Sequence, residues 1–246
     1  AVDAAIAVQM VLTLVEPQAS GLGGGAFMLH SDAGTRIVSA YDGRETAPAR
    51  ATPGLFLGAD RRPLDFAAAA IGGRAVGVPG LLRMLEMAHR RHGRLPWALL
   101  FAPAIDIAFG GFDISPRLAG ALSADAAICR EAPAKDYFCT PDGLPKPAGS
   151  LLRNPALGRT LQEIAGGGAD RFYRGPIARD IVSAVRGHAT NPGLMSSADL
   201  AAYRAKERPP VCRSYRQTWR VCGRGMPSSG ATTVLATLGM LEGYDL

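Results

Sequence analysis

An arginine that follows a glycine at the end of an apolar strand can grip an anion, and one segment of this chain has that form. Asp42-Gly43-Arg44-Glu45 closes the run that begins at Thr35. A guanidinium is a planar fork of donors that matches a carboxylate in a bidentate way, and a strand end holds such a group rigidly. The same residue types also form ordinary surface ion pairs, here with Glu45 or a neighbour. Residue type alone therefore leaves carboxylate binding by Arg44 and a plain salt bridge both open.

Other groups that could do chemistry are less well placed. Gly21-x-Gly23-x-x-Ala26 fits the dinucleotide pattern, with Asp42 as a ribose carboxylate. That motif needs a strand before it and a helix after it, so that phosphate meets the helix N-terminus. Here a helical segment precedes the glycines and a strand follows, which points to backbone crowding that only glycine allows. His30, His89, His92 and His188 show no metal spacing and read as satisfied or solvated histidines. Pro227-Ser228-Ser229-Gly230 resembles a nucleophile turn, yet no His and acid accompany it. It reads as a turn into a helix, with Ser228 or Ser229 as cap. The cysteines pair by spacing as Cys129 with Cys139 and Cys212 with Cys222. Neither pair makes a zinc knuckle. A disulfide across a hairpin is geometrically possible for Cys212 and Cys222, and two buried free thiols fit equally well.

The elements that must position these residues follow from period and punctuation. Ala1 to Val15 reads as a buried helix that stops at Glu16-Pro17. AFMLH and TRIVSAYDG, about the Asp32-Ala33-Gly34 turn, form a predicted hairpin. Pro48 to Ile71 reads as loop. Helices are predicted from Leu81 to His92, stopped by cations and Gly93, and over Trp97–Phe109, Ser115–Ala127, Asn154–Ala165, Asp180–Arg186, Ser196–Tyr203 and Thr232–Glu242. RPPVCRSY and TWRVCGR form a second predicted hairpin. Hairpins near both ends thus enclose a helical middle, an α/β or α+β arrangement in one domain over residues 1–246.

Composition narrows the function classes. The chain has 246 residues, 48% hydrophobic and 20% charged, which excludes wholesale disorder. Its net charge of +6 is mostly dispersed arginine without a lysine block, so nucleic-acid binding is not expected. No apolar run reaches the roughly 20 residues of a membrane span. The chain starts at Ala1 without an initiator Met and has no signal peptide pattern, so a cut upstream is expected.

Nine segments in collinear order carry a resemblance: AVDAAIAVQ, VEPQASGLGGGAFML, DGRETAPARATP, GVPG at Gly77 to Gly80, FAPAIDIAFGGF, LLRNPALGRTL, DRFYRGPIA, DLAAYRAKERPPV and MPSSGA. The chain resembles the γ-glutamyltranspeptidase (glutathione hydrolase) family from end to end, as most of a large subunit. The resemblance implies an N-terminal nucleophile hydrolase, an αββα sandwich made as one self-cleaving precursor. It implies a threonine nucleophile at the start of a separate small subunit, which forms a γ-glutamyl acyl-enzyme released to water or to an amino acid or peptide amine. No threonine here precedes a histidine, and Thr232-Thr233 leads into Val234, so no catalytic residue is expected in this chain and the chain alone is expected to be inactive. Arg44, in DGRETAP, matches the residue that grips the α-carboxylate of the γ-glutamyl group. GRGMPSSGAT departs from the PPPSSGG or GPPSSGG of many relatives.

The resemblance implies no cofactor and no metal, glutathione or related γ-glutamyl amides as donors, the small subunit as partner, and a periplasmic or secreted location. A glutaryl acylase of the same superfamily, or a non-catalytic basic binding protein on this scaffold, are the alternative functions.

Overall fold

Alanine and aliphatic residues at helical spacing form α1, Val2–Val15, whose Val2, Ile6, Met10 and Leu14 make one buried stripe. The computed structural model describes residues 1–125, 127–130 and 132–245. After the glycine run come β1, Ala26–Ser31, and β2, Val38–Gly43, the hairpin predicted from alternation. The expected loop from Pro48 to Ile71 contains a short helix, α2 (Phe66–Ala70), capped by the Asp65 side chain on Ala68 N–H. Its alanines carry no apolar stripe, so periodicity gave no signal there.

α3 spans Leu81–His92 with its predicted bounds. A 3₁₀ turn, Trp97–Phe101, runs into α4, Ala102–Gly110, so the expected single helix is tightened in its first turn by Pro103. β3 is Phe112–Asp113 and α5 is Pro116–Ala124, capped by Ser115. This helix ends at Ala124, short of the expected Ala127, because the Asp125 backbone leaves the helical region. α6 (Ala134–Phe138), β4 (Leu151–Leu152), α7 (Pro155–Gly167, capped by Asn154) and α8 (Asp170–Tyr173) follow. α9 runs Pro176–Arg186, one turn earlier than expected because Pro176 opens it. Ser196 and Asp199 form a capping box on α10, Ser197–Ala202. β5 (Lys206–Arg208), β6 (Val211–Tyr215), β7 (Trp219–Gly223) and α11 (Gly230–Leu241) complete the chain.

Two compact units divide these elements. The first comprises Ala1–Leu22 and His89–Ile181. It is helical: α1, α4 and α7 pack together, and a satellite core of Ile114, Leu118, Leu122 and Leu152 gathers α5 with the β3–β4 pair. Trp97 donates its indole N–H to Ile164 C=O at 3.1 Å, giving a half-buried aromatic its polar partner. Cys129 and Cys139 form a disulfide in this unit.

The second unit comprises Gly23–Ala88 and Val182–Leu246. Its sheet has the order β1-β2-β5, antiparallel throughout, with β2 in the centre. From Ser39 to Gly43 every residue of β2 is buried. β6 and β7 pair with Cys212 opposite Cys222, and those two cysteines form the second disulfide at a Cα separation of 4.1 Å. Asn191, buried, ties the 48–71 segment down: its amide donates to Ala68 C=O and Ile71 C=O, and its oxygen accepts from Arg74 Nε.

Candidate functional site

β2 ends where the sheet, the start of α3 and the β5 strand crowd one another. Gly24 C=O accepts from both Gly80 N–H and Leu81 N–H, at 3.0 and 3.1 Å. A side chain at Gly25 would strike Gly43 C=O and the Glu45 carboxylate, and one at Gly43 would strike Met84. The crowding expected of the glycine run therefore falls on Gly25. Gly21 and Gly23, the two glycines of the dinucleotide pattern, have open space around them. The helix-glycine-strand order, α1 then β1, is the reverse of a phosphate cradle.

Asp42 is the buried centre of this region. Two-residue alternation places Ala40 and Asp42 on one face of β2, and antiparallel pairing sets Arg208 opposite Ala40 and Lys206 opposite Asp42. Arg208 Nε reaches diagonally to Asp42 Oδ2 at 2.7 Å. Arg224, only 6% exposed, donates from Nη2 to the same oxygen at 2.6 Å and from Nη1 to Gly225 C=O and Met226 C=O. Its guanidinium also lies 4.9 Å over the Phe27 ring. Burial by itself raises the Asp42 carboxyl pKa. The Arg44 N–H, the Arg208 hydrogen bond and the charges of Arg224 and Arg208 outweigh that and hold the group below its ordinary value.

Arg44 stands at the mouth of this buried cluster. Its main chain is held: N–H donates to Asp42 Oδ1 at 3.0 Å, and C=O accepts from the Tyr203 hydroxyl at 2.7 Å. Its side chain is 63% exposed. Nε lies 3.4 Å from Glu45 Oε2. The ion-pair reading of Arg44 is thus present as a loose contact with Glu45. Arg44 lines an open pocket together with Asp42, Glu45, Thr46, Tyr203, Pro227 and residues at the β5 edge. Arg204, Lys206 and Arg208 add positive charge to that lining. Desolvation first, then the charges of Asp42 and Glu45, push the Tyr203 hydroxyl pKa up to about 12, so it is a permanent donor at neutral pH.

Other residues weighed in the sequence lie apart from Arg44's pocket. His89 Nε2 is 2.8 Å from Leu95 C=O and 3.8 Å from Asp3, and His188 Nδ1 accepts from Asn191 N–H. Among the described residues no group of three His, Cys, Asp or Glu side chains gathers to hold a metal ion. Ser229 occupies the cap position of α11 without a side-chain bond, and the hydroxyl that accepts there is that of Ser228, from Gly230 N–H at 3.3 Å. Thr232 and Thr233 lie within α11, where the Thr233 hydroxyl donates to Ser229 C=O. Sequence reasoning missed Tyr203, Arg208 and Arg224 as members of the site. Tyr203 and Arg208 had a signal in the charge-dense stretch Tyr203 to Arg208, and Arg224 had none.

The family model "Gamma-glutamyltranspeptidase" matches residues 1–246. The chain is 36% identical over 246 residues to the glutathione hydrolase proenzyme of Bacillus subtilis (strain 168), covering all of this chain and 41% of that protein. It is 34% identical to the acylase ACY 1 proenzyme of Pseudomonas sp. (strain SE83), covering all of this chain and 44% of that one. It therefore spans less than half the length of these curated relatives. The crystal structure of Helicobacter pylori γ-glutamyltranspeptidase superposes with a TM-score of 0.94 at 33% identity, over 100% of this chain and 69% of that chain. The mixed helix-and-sheet fold is that of an N-terminal nucleophile hydrolase, and the chain belongs to the γ-glutamyltranspeptidase family.

Proposed function

We propose that this chain is the larger part, a single domain, of the large subunit of an enzyme that cleaves γ-glutamyl amides, with Arg44 as the residue that binds the donor's α-carboxylate. One observation carries the reading. A mostly exposed guanidinium extends from a main chain pinned on both sides, at a pocket that Arg204, Lys206 and Arg208 also line. A bidentate carboxylate fits that fork. The reacting threonine belongs to the small subunit of the same precursor. Its hydroxyl oxygen bonds to the γ-carbonyl carbon, its own amine takes the proton, and the amine of the donor leaves protonated. Water or an amino acid or peptide amine then breaks the resulting ester. Glutathione and related γ-glutamyl compounds are the donors. Two disulfides support folding in an oxidising compartment, periplasmic or secreted, and no helix among the described residues is long and apolar enough to cross a membrane.

The test is Arg44→Lys in the complete, processed protein. A point charge cannot reproduce the fork, so KM for a γ-glutamyl anilide rises by about 10-fold or more, the scale of a lost charge-assisted hydrogen bond. Unchanged kinetics overturn the assignment. Intact-mass and N-terminal analysis of the native protein checks the partner, which should begin with threonine.

A second reading, a glutaryl acylase, draws support from the match to acylase ACY 1. A glutaryl group offers Arg44 a carboxylate of its own but lacks the α-amino group. Turnover of glutaryl anilide in preference to γ-glutamyl anilide would decide for it.

A further inference from the structure

We propose that Asp42 and Tyr203 are positioning residues, a two-sided clamp on the main chain of Arg44 that fixes where its side chain leaves the backbone, and that Arg224 ties this clamp to the Gly225-Met226 turn of the pocket lining. The inference rests on the proposed role of Arg44 and extends it to residues that touch no substrate.

The clamp is built from buried parts. Asp42 is 6% exposed and Tyr203 5%. Asp42 Oδ1 accepts the Arg44 N–H and the Tyr203 hydroxyl donates to the Arg44 C=O, so both polar groups of one residue's main chain are fixed by side chains from different elements. Main-chain rotation at Arg44 would break one bond or the other. The side chain beyond Cβ stays free to meet a ligand. Asp42 spends its second oxygen on Arg208 and Arg224, and Arg224 grips Gly225 C=O and Met226 C=O, immediately before Pro227 on the pocket wall. One carboxylate thus sets both the Arg44 base and the facing turn. The Arg224 Nε is buried without a hydrogen-bond partner among the described residues, so this turn is held at a desolvation cost.

The experiment compares two substrates in the complete processed enzyme: γ-glutamyl anilide and 4-aminobutyryl anilide, which is the same molecule without the α-carboxylate. The readout is the ratio of their kcat/KM values. General damage to the fold lowers both and leaves the ratio alone. Loss of carboxylate gripping lowers the ratio. Asp42→Asn should reduce it by about 10-fold and Tyr203→Phe, which removes a single oxygen and keeps the ring, by about 3-fold or more, within the usual range of coupled pairs. In an Arg44→Lys background either change should add no more than about 2-fold. If Asp42→Asn fails to fold, Tyr203→Phe carries the test alone. If Arg44→Lys leaves the ratio unchanged, the reading of Arg44 itself is wrong. If Arg44→Lys lowers the ratio while Asp42→Asn and Tyr203→Phe do not, Arg44 binds the carboxylate and the clamp is refuted.

Discussion

The two hairpins of the second unit carry similar sequence signals and are held by different physics. In β1–β2 the inner strand is buried along most of its length, and its polar end is locked by a carboxylate with two arginines. In β6–β7 every residue is exposed or half-buried. There the Cys212–Cys222 bond crosses the ladder, and Glu242, just past α11, accepts from Arg213 Nη2 and Arg216 N–H. The first hairpin is rigid because it is packed and its polar groups are satisfied. The second is rigid because it is cross-linked. A binding arginine needs the first kind of support, since packing fixes a main chain on every side while a cross-link only limits how far two strands separate.

The largest effect should come from removing the buried charge of the first hairpin. Asp42→Ala leaves Arg224, nearly fully buried, without its counter-charge, and breaking a buried pair from one side costs roughly 3–5 kcal/mol. In a thermal melt of the complete protein that loss should appear as a drop on the order of 10 °C, using the scaling for a domain of this size. Replacing both partners apolar, Asp42→Ala with Arg224→Met, should recover part of the loss, because no orphaned charge remains. A single variant as stable as the parent would mean that the cluster is solvated, and the contrast between the hairpins would disappear.

A smaller effect is expected from the second hairpin. Its disulfide closes a loop of 10 residues in sequence separation, for which the chain-entropy model gives about 3 kcal/mol of stabilisation. The double variant Cys212→Ser with Cys222→Ser should lower the denaturation midpoint and leave KM for γ-glutamyl anilide where it was. The comparison sharpens if stability falls and binding does not. It breaks if KM rises as far as it does in Arg44→Lys, since the cross-link would then also be holding the site.

Much of this was legible in the residues. Both hairpins and the stop of α3 before Gly93 follow from alternation, cations and a glycine that act within a few residues. Arg44 reads from sequence as a planar donor at a strand end, suited to a carboxylate or to an ordinary ion pair with Glu45. What stayed hidden depends on long-range pairing. β5 is three residues long and sits before Pro209-Pro210, so no period marks it as a strand, yet its register against β2 delivers Arg208 to Asp42. Arg224 is separated from Asp42 by 182 positions, and nothing local announces that a basic residue beside two glycines is buried. Tyr203 looked like the end of a helix. Its hydroxyl finds Arg44 only because Gly80 leaves room for it, a side chain at that position striking both the Tyr203 hydroxyl and Gly43 C=O.

The smallest predicted effect is a pH dependence that separates the hairpins again. Burial raises the Asp42 carboxyl pKa, and the Arg44 N–H, Arg208 and Arg224 together bring it below the ordinary value. A carboxyl whose folded pKa is depressed contributes stability that is fully present above its unfolded value, near 4, and that is lost as pH falls through the folded value. Stability of the first hairpin should therefore hold from neutrality to about pH 4 and decline below it. Disulfide sulfurs do not titrate, so the cross-link of the second hairpin gives no such term. The Glu242 carboxyl, lowered by the Arg213 hydrogen bond and the Arg216 N–H, gives one of the same sign, but it is exposed and screened by salt. Melting midpoints of the parent and of Asp42→Asn, measured from pH 6 to pH 3 in high salt, should converge toward the acid end, because the parent alone loses the carboxylate. Parallel curves over that range would show that Asp42 is already protonated or already solvated in the fold, and the buried cluster would no longer explain why the first hairpin is rigid.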